Sequence, residues 1–163
     1  MRQTLQKPIL RILFQALLVL LYIGLYRLFV WEEEAGLIEL GFFIFGISIG
    51  TLMVIADDVW LASLYTEPTD IVRPLTRSIL FVLLLIPIGV FVLTSTASVL
   101  AIGLFLGITS SLVSEMVMLY SEPQQISEKY LWQLQRSLSD LEVQRIVLGM
   151  VLFLVTFSFL FVW

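Results

Sequence analysis

Long apolar stretches alternate with short polar ones along almost the whole chain. The apolar stretches have the length of membrane-spanning helices, because about 20 helical residues cross a hydrocarbon core of about 30 Å. They predict five spans, over about 9–30, 37–57, 78–94, 99–120 and 146–163. We therefore expect an all-α integral membrane protein that forms a single domain, 1–163.

Two parts of the chain repeat the same order of residues behind the first predicted span. Each copy holds a GxxxG pair, then a polar position, then a corner of the form Tyr-[Thr/Ser]-Glu-Pro. The first copy, about 37–95, contributes Gly46, Gly50, Asp57, Asp58 and Tyr65 to Pro68, and the second, about 98–163, contributes Gly103, Gly107, Ser114, Glu115 and Tyr120 to Pro123. The constant order predicts two helix pairs in a parallel repeat, with both corners on one face of the membrane.

The basic residues predict the orientation in the cell membrane, because Lys and Arg are retained on the cytoplasmic side. With the predicted spans, only Arg27 falls near the outer side, and the others fall on the inner side: Arg2, Lys7, Arg11, Arg73, Arg77, Lys129, Arg136 and Arg145. This distribution predicts a cytoplasmic N-terminus and an extracytoplasmic C-terminus.

A cleaved signal peptide is the alternative interpretation of the first apolar stretch, since a basic segment before an apolar run fits both. The run is longer than a usual signal sequence, and Tyr22, Tyr26 and Arg27 interrupt its end. No small-x-small cleavage site follows it. A retained helix is therefore favoured.

The longest polar stretch of the chain predicts an amphipathic helix over about 124–138. Its apolar residues recur at intervals of three and four, as on one helix face: Ile126, Tyr130, Leu134, Leu138 and Leu141. Such a helix would lie along the cytoplasmic membrane surface or under the bundle. Ser139 and Glu142 then have the spacing of a capping box, which predicts the start of the last helix.

Composition narrows the function classes. Hydrophobic residues make up 60% of the chain, against about 45–50% in soluble domains. The chain contains neither Cys nor His, so the usual zinc, copper and haem ligands and a Ser-His catalytic pair are missing. No phosphate-binding or dinucleotide-binding motif is present. We expect no enzyme activity, no catalytic residue, no cofactor, no metal and no nucleic-acid partner.

The glycine pairs are candidate packing sites. Gly46 and Gly50, like Gly103 and Gly107, are four residues apart and so lie on one face of a helix. Small residues on such a face let another helix backbone approach closely in a membrane. The second and fourth spans are expected to pack through these faces, against each other or against another copy of the chain.

Four polar residues form a candidate ion or proton site: Asp57, Asp58, Ser114 and Glu115. The repeat brings them to one level, and carboxylates inside hydrocarbon are costly and usually functional. Their predicted depth, however, is close to the inner edge of the hydrocarbon. The favoured interpretation is that these acids are hydrated or paired with Arg73, Arg77 or Arg145.

These observations predict a small, non-enzymatic membrane protein, a scaffold or a subunit of a membrane complex that packs through its glycine faces. Its expected partners are the lipid bilayer and either further copies of the chain or another membrane protein. The alternative function is a small cation- or proton-coupled transporter or channel that uses the acidic residues near the cytoplasmic boundary.

Overall fold

The computed structural model describes residues 13, 15–25, 36–61, 74–95, 98–134, 136 and 138–162, and over these ranges the fold is all-α. The helices are α1 Gln15–Leu25, α2 Gly36–Ala56, α3 Ile79–Ser95, α4 Val99–Met118, α5 Pro123–Tyr130 and α6 Asp140–Val162. A π-helical turn, Asp57–Leu61, continues α2, and a short 3-10 turn, Leu75–Arg77, precedes α3.

Three of the described helices are long and apolar enough to cross a membrane: Gly36–Ala56, Val99–Met118 and Asp140–Phe161. Two further apolar helices, Gln15–Leu25 and Ile79–Thr94, are shorter. The predicted all-α class is confirmed, and the apolar helices are compatible with a membrane protein. Five spans and an internal repeat stay predictions. Most of the predicted 9–30 span outside α1, together with the first Glu-Pro corner at 67–68, lies outside the described residues.

Helix α4 is the centre of the bundle, and it is buried along almost its whole length from Ile102 to Met116. The outer helices bury only one stripe each, at spacings of three and four residues. In α3 the stripe is Val82, Leu85, Gly89 and Val92, and in α6 it is Val143, Val147, Met150, Leu154 and Phe157. Their outward faces are also apolar, as a lipid-facing surface requires.

Contacts at the end of the bundle where α2 begins show that α1 and α6 run antiparallel to α2. The rings of Phe43, near the start of α2, and Phe161, near the end of α6, stack with centroids 5.3 Å apart. The Ser158 hydroxyl of α6 donates to the Tyr22 hydroxyl of α1 at 3.2 Å.

A side-chain amide joins α1 to α2 and α4. The Gln15 amide nitrogen donates to the Ser110 hydroxyl of α4 at 2.9 Å and to the Thr51 hydroxyl of α2 at 3.2 Å. Hydrogen bonds of this kind between helices fix their rotation about their own axes, because the polar atoms have few other partners in an apolar bundle.

The amphipathic segment is helical over a shorter range than the predicted 124–138, since α5 spans Pro123–Tyr130. Both Tyr130 and Leu131 are buried, so the chain turns towards the bundle instead of continuing along its surface. The capping box is present at the start of α6. The Ser139 amide donates to the Glu142 carboxylate at 2.9 Å, and the Glu142 amide donates to the Ser139 hydroxyl at 3.4 Å.

Candidate functional site

Four elements meet at one end of the bundle and bring charged side chains together. The π-helical turn after α2 carries Asp57 and Asp58, and the 3-10 turn before α3 carries Thr76 and Arg77. Glu115 lies in the last turn of α4. We call these residues, together with Lys129 of α5, the charged cluster.

Arg77 is the central residue of the charged cluster, and its side chain is fully buried. Its Nε and Nη2 atoms donate to Oε2 of Glu115 at 3.1 and 2.9 Å. Its Nη1 and Nη2 atoms donate to the two carboxylate oxygens of Asp58, the second bond measuring 2.9 Å. One guanidinium therefore joins the ends of α2 and α4, using the forked donor geometry that lysine lacks.

Burial alone would lower the pKa of Arg77, but the Glu115 and Asp58 carboxylates outweigh it and raise this pKa above its ordinary value. Arg77 therefore stays charged. A buried charge is strongly unfavourable unless it is paired and hydrogen-bonded. The pairing explains how the buried Arg77 and Glu115 are both accommodated inside the bundle.

The remaining members of the charged cluster extend the network. The Lys129 ammonium forms an ion pair with Oε1 of Glu115, so both oxygens of this carboxylate face a cation. One oxygen of the buried Asp57 accepts from both the backbone amide and the hydroxyl of Thr76, each at 2.6 Å. Ser114 is buried, and its hydroxyl donates to the Ser111 carbonyl of its own helix at 2.8 Å.

Three of the four residues of the predicted ion or proton site, Asp57, Asp58 and Glu115, thus have hydrogen bonds to the turn before α3. Among the arginines that the structure describes, Arg77 pairs with Asp58 and Glu115. Arg73 lies outside the described residues, and Arg145 is exposed on α6. An ion or proton site at these positions stays a prediction.

Sequence reasoning did not assign Thr76 or Lys129 to the site. Thr76 is a short polar residue between an apolar and a basic one, and nothing in that pattern marks it as a partner of Asp57. Lys129 lies on the polar face of the predicted amphipathic helix, which indicated an exposed position. Only the tertiary fold, in which the chain turns back after α4, places it beside Glu115.

The four glycines lie at one interface, where α2 and α4 run parallel. A Cβ atom added at any of them would come closer than 3.0 Å to backbone atoms of the facing helix. The contacts are reciprocal. Gly46 faces the Leu100 carbonyl and Gly103 faces the Phe43 carbonyl, while Gly50 and Gly107 face the Leu104 and Ile47 carbonyls in the same way. Both glycine faces are therefore covered within one chain.

A cavity of about 1180 Å³ lies beside the charged cluster, between α1, α2, α4 and α5. Asp58, Glu115 and Lys129 contribute to its lining. Within the described ranges, no three acidic side chains converge in a way that could hold a metal ion.

Comparison with protein-family models, with curated proteins and with solved structures found no match for this chain.

Proposed function

We propose that this chain is a non-enzymatic integral membrane protein that acts as a scaffold or as a subunit of a membrane complex. The pairing of the buried Arg77 with both Asp58 and Glu115 is the observation that carries this proposal. An exchangeable ion or proton site needs carboxylates that can release their partner. An arginine side chain is part of the polypeptide and does not deprotonate in proteins, so it cannot leave the site as a bound ion or a proton can. The charged cluster is therefore best explained as a permanent set of ion pairs between helices.

The partner surface follows from which faces are already used. The glycine faces are occupied by each other, so they are not free for another molecule. The outward face of α3 is broad and apolar, with Leu80, Leu83 and Phe91 each more than half exposed. This face and the surface around α5 are the proposed contacts with partners or with further copies of the chain.

The proposed arrangement in the membrane has five spans, a cytoplasmic N-terminus and two parallel helix pairs. The parallel course of α2 and α4 and their reciprocal glycine contacts support it. Because the chain has no Cys, the single variants Glu67→Cys and Glu122→Cys can be labelled with a membrane-impermeant thiol reagent without background labelling of other residues. Both should react only from the cytoplasmic side of sealed vesicles, and labelling from opposite sides would contradict the topology.

The assembly state tests the proposed scaffold role. Particles extracted in a mild detergent should have a protein mass above the 18.6 kDa of one chain, as measured by light scattering. Two differently tagged copies, expressed together, show whether the additional mass is another copy. Copies expressed separately and mixed after extraction are the control for detergent-induced association. A particle of single-chain mass without any partner would count against the proposal.

A second candidate function is cation or proton transport, and the position of the cavity favours it. Asp58 and Glu115 line the cavity, and the side chain of Asp58 is 36% exposed. A cation could therefore reach carboxylates near the predicted cytoplasmic boundary.

Ion flux into reconstituted vesicles distinguishes transport from a scaffold role. Asp57→Asn, Asp58→Asn and Glu115→Gln should each reduce a flux that depends on the charged cluster. Glu128→Gln, on the exposed side of α5, is the control with the same loss of charge. A flux that is absent, or unaffected by all three variants, rejects this second candidate.

A further inference from the structure

The cavity beside the charged cluster is large for a small protein. Its volume of about 1180 Å³ slightly exceeds the range of about 300–1,000 Å³ that is typical of small-ligand sites. Its lining includes Leu20, Ser48 and Ile55, all of which are exposed. The cavity is therefore accessible from outside the bundle.

The lining changes from apolar to charged along the cavity. Val19 and Leu20 of α1 and Ile47 of α2 form its apolar part, and Asp58 lies at its other end. From Ile47 to Asp58 the cavity follows α2 for about 16 Å, at 1.5 Å per residue. Such a gradient suits an amphiphile that lies parallel to the helices.

The start and one side of α5 supply charges of both signs to the polar end. Glu122, which directly precedes α5, and Gln125 and Lys129 within it recur at intervals of three and four residues, and all three line the cavity. Lys129 is 38% exposed and pairs with Glu115. Its ammonium has three donors, so it can bind an anionic group as well. The Glu122 carboxylate accepts from the Gln125 amide and has further acceptor positions.

We propose that this cavity binds one zwitterionic phospholipid with a primary ammonium headgroup. Lys129 binds its phosphate, Glu122 accepts from its ammonium, and one acyl chain lies against Val19, Leu20 and Ile47. An anionic lipid with a neutral headgroup alcohol would bring no ammonium to Glu122. A quaternary ammonium would offer Glu122 no N–H donor. This binding site is independent of whether the chain serves as a scaffold.

Native mass spectrometry of delipidated protein in detergent tests this site. Phosphatidylethanolamine, phosphatidylcholine and phosphatidylglycerol are each added at the same series of concentrations. We expect one tightly bound phosphatidylethanolamine, with a Kd about tenfold lower than that of either other lipid, because one charge-assisted hydrogen bond is gained. Glu122→Gln should remove this preference.

Two matched pairs of variants separate the site from general lipid contact. Glu128→Gln removes the same charge from α5 at an exposed position outside the described lining, and should leave binding unchanged. Ser48→Phe fills the cavity and should abolish the bound lipid. Thr156→Phe, on an exposed face of α6, should not. Equal binding of the three lipids, a preference for phosphatidylglycerol, or equal behaviour of the two variants in either pair would overturn the proposal.

Discussion

Arg77 and Glu115 are joined by two hydrogen bonds, from Nε and Nη2 of the guanidinium to Oε2 of the carboxylate, at 3.1 and 2.9 Å. They connect the turn before α3 to the last turn of α4 across 38 positions of sequence. Because the guanidinium is fully buried, water competes little for these bonds. The pair therefore holds two helix ends in a fixed arrangement.

Replacing Arg77 by Gln should destabilise the bundle by about 3–5 kcal/mol, because the buried Glu115 carboxylate would lose the two hydrogen bonds from its guanidinium partner. The free energy of unfolding, measured in detergent micelles, checks this value. Arg145→Gln, at an exposed position of α6, is the matched control and should change it little. Equal stability of the two variants would show that the ion pairs of Arg77 do not stabilise the bundle.

The glycine interface predicts a loss of stability from very small substitutions. Gly50→Ala and Gly107→Ala should each cost about 1–3 kcal/mol, because the added methyl group overlaps with backbone atoms and forces α2 and α4 apart. Unfolding of the isolated chain is the measurement.

Gly41→Ala and Gly149→Ala are the controls for helix propensity, since nothing lies within 4 Å of a Cβ atom at either position. They should be neutral or slightly stabilising. If the Gly50 and Gly107 variants lowered only the oligomeric state and left the stability of one chain unchanged, the interface would lie between copies.

An aromatic cluster between α4 and α6 should be sensitive to truncation of its side chains. Phe105 and Phe157 lie with ring centroids 4.4 Å apart, and Phe153 contacts both. Phe157→Ala should cost about 3–5 kcal/mol, because it removes a side chain that is only 2% exposed and leaves a cavity. Thermal unfolding compared with Phe159→Ala, at a position 61% exposed, separates cavity formation from the loss of a ring. Similar transition temperatures for both variants would argue against this core.

The capping box at the start of α6 predicts a smaller effect. Ser139→Ala removes the hydroxyl that accepts from the Glu142 amide and should cost about 0.5–2 kcal/mol. Hydrogen exchange at the first turn of α6 should increase, while exchange at the Leu154 amide near its middle should not. Unchanged exchange at the first turn would mean that the cap contributes little to this helix end.

The sequence determined the helical class and the positions of most helices. Apolar length and capping residues are local properties, so α2, α4 and the start of α6 at Asp140 lie close to the predicted positions. The end of α5 was not predictable in this way. It depends on the burial of Tyr130 and Leu131 together, which periodicity along one helix does not encode.

The sequence also singled out the glycines and the acidic residues by their repeated spacing. It did not decide whether the glycine faces meet each other or another chain, and it left three arginines as partners for the acids. The tertiary structure places the two glycine pairs against each other and Arg77 against Asp58 and Glu115. The backbones of α2 and α4 lie too close together for a Cβ atom at these positions, so two facing pairs of glycines are required. A buried carboxylate pairs with a cation that the fold brings within hydrogen-bonding distance. Among the described residues, Arg77 and Lys129 both pair with Glu115, and local patterns neither distinguished Arg77 from Arg145 nor pointed to Lys129.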